Sequence, residues 1–213
     1  MDAAALLTLT QWFTSSYPTG GFAWSHGLEA AVADGAVSDG ASLRHWLALV
    51  IEEGAGRTDT ILIGAAHRAE ADELTTLSDL AAALSPSASR RAETLRQGAA
   101  FAATTRAAWE MDLPDLAFPV AVGRAARLAG LPAEPVALAY LQAMAANLVQ
   151  AALRLFPLGQ TEGQRVLRAL TPLILDRTAA AVRLPVNEIG GASFLPDIGA
   201  LRQEAMAVRL FQS

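Results

Sequence analysis

Ser42-Leu43-Arg44-His45-Trp46-Leu47-Ala48-Leu49-Val50-Ile51-Glu52-Glu53 is the stretch that decides the fold class. Leu43, Trp46, Leu47, Val50 and Ile51 fall at i, i+3, i+4, i+7 and i+8, one apolar stripe on a helix, with Arg44, Glu52 and Glu53 off it. Gly54 and Gly56 are expected to stop that helix. The rest of the chain has the same character. About a fifth of its residues are Ala and about a seventh Leu, both strong helix formers, and β-branched runs of period two are missing.

Cap signals divide the chain further. Thr58 or Asp59 is placed to cap a helix running to about Ala71, and a shorter helix follows near Leu74 to Leu84. Pro86, after Ser85, has the form of a first-turn proline opening a helix to about Met111, and Pro114 closes that unit. A helix from Phe118 to Ala129 ends at Gly130; Pro132 and Pro135 introduce an uncharged helix up to Phe156. Thr161 with Gln164 has the capping-box pattern for a helix from Glu162 to about Arg183. Residues 184–196 read as loop, and Pro196-Asp197 opens a last helix reaching Phe211. With short connections and no internal repeat, residues 1–213 are expected to form one all-α domain, a single compact bundle of about eight to ten helices.

Composition removes several function classes. The 213 residues include no cysteine, which excludes thiolate nucleophiles, disulfides and Cys-based zinc or iron-sulfur sites. All 16 basic side chains are Arg, so Schiff-base lysine chemistry and a P-loop lysine are excluded. A formal charge of -5 argues against a nucleic-acid partner. Met1-Asp2-Ala3 carries an acid where a secretory signal carries positive charge, so a cytoplasmic location is expected. The uncharged run from Pro135 to Leu153 contains Gln142, Asn147 and Gln150 among many alanines, which fits a buried central helix better than a membrane span.

Chemistry-bearing residues are sparse. His26 with Glu29 and His67 with Glu70 stand at i, i+3, where a helix would put each pair on one face, either as a metal pair or as a surface ion pair. A di-metal bundle uses the reverse order, Glu-x-x-His, with two further inward glutamates, and these are not evident. There is no G-x-S-x-G elbow, and His45 lies mid-helix. No catalytic, tight metal or cofactor site is expected.

Three segments carry more than a structural link needs. Tyr17 to Glu29 places Phe22 and Trp24 beside Gly20, Gly21 and Gly27, a composition suited either to a contact surface or to a turn whose aromatics fold inward. Pro157 to Gln164 combines two glycines with the amides of Gln160 and Gln164. The C-terminus holds Met206, Val208, Leu210 and Phe211 with Arg202 and Arg209 interleaved, although termini are usually polar and frayed. Those apolar residues must bury on their own domain or on a partner, and Arg and aromatic residues favour interfaces.

The same segments resemble the urease accessory protein F family. The resemblance rests on Pro18, Gly20, Phe22, Ser25, Gly27, Leu28 and Glu29; on Asn147, Leu148, Ala151, Pro157, Leu158, Gly159, Gln160, Gly163 and Gln164; and on Asp197, Ile198, Glu204, Arg209, Leu210, Phe211 and Ser213. Tyr17, Trp24, Gln203 and Gln212 depart from the residues usual in the family. The resemblance implies an all-helical, non-enzymatic chaperone of urease maturation and nickel insertion. It implies a homodimer that binds accessory protein D (H in some organisms), recruits the GTPase accessory protein G with regulation of GTP hydrolysis, and sits on apo-urease, with nickel handled by the complex. Partner contact is expected at Pro18, Gly20, Phe22, Trp24, Ser25, Glu29, Gln160, Gln164, Arg202, Glu204, Arg209, Leu210 and Phe211, with residues 197–213 as the docking segment. A small helical di-metal oxidase and an unrelated helical scaffold are the rival readings.

Overall fold

A computed structural model of the chain describes residues 1–191 and 193–212. The helices are α1 (Ala3–Trp12), α2 (Leu28–Ala33), α3 (Gly40–Glu52), α4 (Ala55–Arg68), α5 (Leu74–Ala83), α6 (Ala88–Trp109), α7 (Phe118–Leu128), α8 (Ala133–Leu155), α9 (Gln160–Ala181) and α10 (Phe194–Glu204). Short 3₁₀ turns occupy Gly21–Ala23, Ala71–Glu73 and Val186–Glu188, and no strand occurs among the described residues. The all-α expectation and the compact bundle hold.

The uncharged run from Pro135 to Leu153, flanked by Glu134 and Arg154, forms the body of α8, which packs against α9, α4, α7, α2 and α3. It is the one helix among the described residues long and apolar enough to cross a membrane, and more than half of its most apolar window is buried inside the fold. Val136, Leu141, Leu148 and Val149 are its largest fully enclosed side chains. An aromatic chain then ties four helices together. Trp12 of α1 meets Phe101 of α6 edge-on at 5.5 Å, Phe101 meets Phe118 of α7 at 5.7 Å, and Phe118 meets Tyr140 of α8 at 5.3 Å.

Local chemistry sets the ends, and several differ from the sequence expectation. Asp39 caps α3 by accepting the Ser42 N–H at 2.8 Å while Ser42 Oγ accepts the Asp39 N–H at 3.1 Å, a reciprocal box. Gly54 becomes the N-cap of α4, whose first turn contains Gly56 rather than ending before it; Thr58 and Asp59 therefore lie inside the helix. A methyl on Gly56 would press on Ile51 at 2.6 Å, so these glycines permit a tight α3–α4 corner. Ser87, not Pro86, opens the long helix α6 by accepting the Arg90 N–H at 3.2 Å. α9 starts at Gln160 with no side-chain cap, so the Thr161–Gln164 box does not form. α10 begins at Phe194 and ends at Glu204; residues 205–212 continue without helix, shortening the helix expected to reach Phe211.

Close helix crossings depend on missing side chains. A methyl on Gly64 of α4 would overlap the Val182 carbonyl, and one on Gly98 of α6 would overlap the Leu116 carbonyl. Both obstacles are backbone, which cannot rotate away. Gly64→Ala is therefore expected to lower stability by about 2 to 3 kcal/mol, the cost of overpacking a rigid crossing. Gly190→Ala, with open space at its Cβ, should stay within about 0.5 kcal/mol. Urea unfolding followed by circular dichroism checks the difference; equal midpoints would show that the α4 crossing has slack.

Candidate partner-docking interface

The loop between α1 and α2 turns on three left-handed residues. Gly20 has φ +73° and Gly27 φ +78°, while His26, at φ +55°, takes a conformation that side-chain-bearing residues avoid. A methyl on Gly27 would overlap the backbone of Gly199 and Ala200, so the loop seats directly against α10. The loop divides its aromatics between both of the roles left open by the sequence. Tyr17 and Trp24 are buried, Tyr17 Oη lying 2.8 Å from Thr105 Oγ1, whereas Phe22 is 71% exposed.

The C-terminal segment is clamped to this loop by Glu29 in the first turn of α2. Its Oε1 accepts the Leu210 backbone N–H at 2.7 Å, and its Oε2 accepts the Phe211 N–H at 2.9 Å and the Gln203 amide at 3.2 Å. Ser25 Oγ donates to Gln203 Oε1 at 3.0 Å, so the fully buried Gln203 bridges loop and α10. The Gln212 N–H reaches the Ala23 carbonyl at 2.9 Å. Phe211 is buried under Arg154, whose guanidinium carbon stands 4.2 Å from the ring centre while Nη2 donates to the Phe22 carbonyl at 2.7 Å. Glu204 Oε1 accepts the Ser89 N–H at 2.6 Å at the start of α6, and hydrogen bonds from Ser89 hold its carboxyl below the usual range.

Of the residues expected to face a partner, Trp24, Ser25, Glu29 and Phe211 are buried within the chain, and Glu204 is spent on α6. They secure the tail, because backbone N–H groups at 210 and 211 need an acceptor once Phe211 is inserted. Pro18, Phe22, Arg202, Arg209 and Leu210 are exposed, Arg202 pairing with Asp34 at 2.7 Å, and Gly20 is half-buried. Gln160 and Gln164 stand exposed on the first turns of α9 and take no part in the loop–tail network. Ser213 lies outside the described residues.

The outward surface beside the tail is apolar. Phe194, Leu195, Ile198 and Leu201 of α10 are 71%, 59%, 43% and 52% exposed, and Val208 and Leu210 of the tail are 84% and 61% exposed. The sequence reading missed Phe194 and Leu195 because it placed them in a loop. It also missed Arg154 and Gln203 as tail contacts, since nothing local to either residue marks them.

Neither His–Glu pair forms. His26 Nε2 instead bonds Glu93 Oε1 of α6 at 2.9 Å, and His67 Nε2 bonds the Leu131 carbonyl at 2.8 Å, while Glu70 pairs with Arg127 at 2.9 Å. The left-handed turn at His26 and the break after Arg68 take each pair off a common helix face. No group of three metal-ligating side chains occurs among the described residues.

Beneath the loop lies a cavity of about 460 Å³ whose lining includes His26, Asp59, Glu93 and Tyr140. Tyr140 Oη donates to Asp59 Oδ2 at 2.6 Å. Burial pushes the Asp59 carboxyl from 3.8 up to about 6, against the lowering effect of the Tyr140 bond and of Arg90. Burial, then the Arg90 charge, lowers the His26 pKa, with Glu93 opposing them.

The structure is that of an all-α protein whose C-terminal segment is folded back beside an exposed apolar surface. The UreF family model matches residues 37–171. Urease accessory protein UreF of Cereibacter sphaeroides (strain KD131 / KCTC 12085) is 51% identical over 211 residues, covering 99% of this chain and 100% of the relative. The proteins of the same name from Ruegeria pomeroyi and Roseobacter denitrificans are 46% and 42% identical over 98% and 100% of this chain, each covered to 96%. The chain belongs to the UreF family.

Two outcomes follow from this geometry. Glu29→Ala should free the tail while the helical body persists, so that Leu210 and Phe211 amides lose at least tenfold in hydrogen-exchange protection, the scale of losing charged hydrogen-bond acceptors. Unchanged protection would refute the clamp. Asp59 has a raised folded pKa, so its contribution to stability is complete below about pH 4 and is lost as pH rises through about 6. Asp59→Asn should accordingly stabilise the protein at pH 7.5 by roughly 2 to 3 kcal/mol, a shift of about two units at 1.36 kcal/mol each, and by much less at pH 4. Paired denaturant titrations at the two pH values check the sign.

Proposed function

We propose that this protein takes an accessory, non-catalytic part in urease maturation, presenting the α10–tail edge to a D/H-type accessory protein and serving in the assembly that brings the G-type GTPase to apo-urease. Membership of the UreF family supports the urease connection, and the exposed apolar edge at Phe22, Phe194, Ile198, Leu201, Val208 and Leu210 is the observation that supports docking. An interface of standard size, about 800 Å² per partner, would cover such an edge. In this reading Glu29, Ser25 and Trp24 act indirectly by fixing the tail's shape, and the exposed Arg202 and Arg209 supply polar rim contacts. Arg209 is the stronger candidate of the two, because Arg202 is already paired with Asp34.

Nickel and carbon dioxide are handled by the whole assembly, in the cytoplasm, by a homodimer of this chain that holds no tight cofactor of its own. Coupling to GTP hydrolysis needs only differential affinity for one state of the GTPase. Gln160 and Gln164 at the start of α9, and Pro18 and Gly20 in the loop, are available for a separate contact with another component of the assembly.

The test keeps the fold and alters the edge. Val208→Asp with Leu210→Asp changes two exposed side chains and should leave the thermal midpoint within about 2 °C, the scale expected of surface substitutions. Co-purification with the D/H-type protein and urease activation should both fall at least tenfold. Retained co-purification at unchanged stability would remove the tail edge from the interface.

A further inference from the structure

The cavity under the α1–α2 loop touches the docking edge at Phe22 and the tail support at Trp24, but its wall also carries groups that neither of them uses. Arg90 and Gln97 both donate to the Glu93 carboxylate, so Glu93 accepts from His26 as well and the proton of the neutral imidazole sits on Nε2. His26 Nδ1 is then a bare lone pair; it is buried and has no hydrogen-bond partner. Asp59 brings a carboxylate to the same cavity, and no cation stands within ion-pair distance of it among the described residues. Arg90, the cation whose field reaches Asp59, is already paired with Glu93. Glu53 and Asp197 also line the cavity, so with Asp59 and Glu93 four carboxylates share its wall with one guanidinium, that of Arg90.

Part of the remaining wall is aromatic. Phe13, Tyr17, Phe118 and Tyr140 line it, with Tyr140 lying 6.2 Å from Phe13 and 5.3 Å from Phe118. Ring faces attract organic cations and offer a metal ion no lone pair. With no three-residue ligand set among the described residues, a metal would lack a protein cage. The volume, about 460 Å³, is in the range of small-molecule sites.

We propose that this cavity is a binding site for a small organic cation, a molecule carrying an ammonium or guanidinium group, with Asp59 as counter-ion, His26 Nδ1 as a hydrogen-bond acceptor and the Phe13, Phe118 and Tyr140 rings as the surrounding wall. Asp59 and His26 take no part in the docking edge, so occupancy of the site is read on the isolated full-length chain without urease or any accessory protein.

An isosteric pair tests it. Methylguanidinium and N-methylurea have nearly the same shape, and only the first is charged. In titration calorimetry at pH 7.5, methylguanidinium is expected to bind saturably with one site per chain. Affinity should fall at least tenfold in Asp59→Asn, stay unchanged in the exposed control Asp176→Asn, and drop in wild-type protein at pH 5, where the Asp59 carboxyl takes up its proton. The pH arm decides the matter if Asp59→Asn does not fold. Absence of saturable binding up to 10 mM methylguanidinium, which is about 2.7 kcal/mol of affinity at that limit, overturns the proposal. So does equal binding of N-methylurea, or displacement of methylguanidinium by stoichiometric nickel chloride, which would make the cavity a metal site.

Discussion

The Glu29 carboxylate accepting two consecutive backbone N–H groups of the tail is the contact on which the candidate interface depends. Seven residues of non-helical chain after Ala205 have no internal hydrogen-bond pattern of their own, so their order has to be imposed from outside. A carboxylate that accepts from two adjacent amides fixes both position and direction, and charge-assisted bonds of this kind are roughly twice as strong as neutral ones. Phe211 can then remain buried beneath Arg154, while Leu210 beside it in the bent tail is exposed. Removing the acceptor would strand two N–H groups next to an apolar socket, a cost that the ring burial alone does not offset.

The loop that leads into Glu29 of α2 contains one strained residue, His26. Of its three left-handed residues the two glycines adopt that conformation freely, whereas His26 is held in it by its surroundings. Gly27 lets α10 approach to backbone contact, and His26 is fixed by Glu93 across to α6. The loop therefore welds α2, α6 and α10 at one end of the bundle. Its rigidity reaches the tail through Ser25 and Gln203, and the edge presented outward is correspondingly preorganised, which lowers the ordering cost of any association.

How much of this was legible in the sequence depended on distance along the chain. The stripe from Leu43 to Ile51 gave α3 nearly to the residue, because helix periodicity is a local signal; the uncharged run from Pro135 to Leu153 gave the body of α8 from equally local evidence. Ends were less secure where a proline or glycine admits two readings: Gly54 stops one helix and caps the next, and Pro196 lies inside the first turn of α10, where its missing N–H is no loss. The three unusual segments were visible as compositions, and two of them do meet in space. What could not be read was which member of each segment turns inward. Phe22 and Trp24 have the same local context, yet one is exposed and the other buried, and the choice is made by Arg154, Arg96 and the tail, more than a hundred or seventy positions away. Glu29 looked like a partner for His26 at i+3, and only the left-handed backbone at His26 separates them.

Asp59 and Tyr140 show the same principle inside the core. Asp59 was legible as a helix cap, a role in which its carboxylate would be solvated and cheap; because Gly54 starts α4 earlier, the side chain is carried into the cavity wall instead. There it lowers stability at neutral pH, since burial disfavours its charged form and the neighbouring Arg90 is committed to Glu93. An aspartate held in such a place without its own cation is a local conflict within an otherwise consistent apolar bundle, and conflicts of that kind in natural chains concentrate where a site does something besides hold the fold. The conflict is resolved when positive charge enters the cavity. In the same way the exposed edge of α10 and the tail is resolved when apolar surface covers it: both are places where the isolated chain leaves a physical demand open.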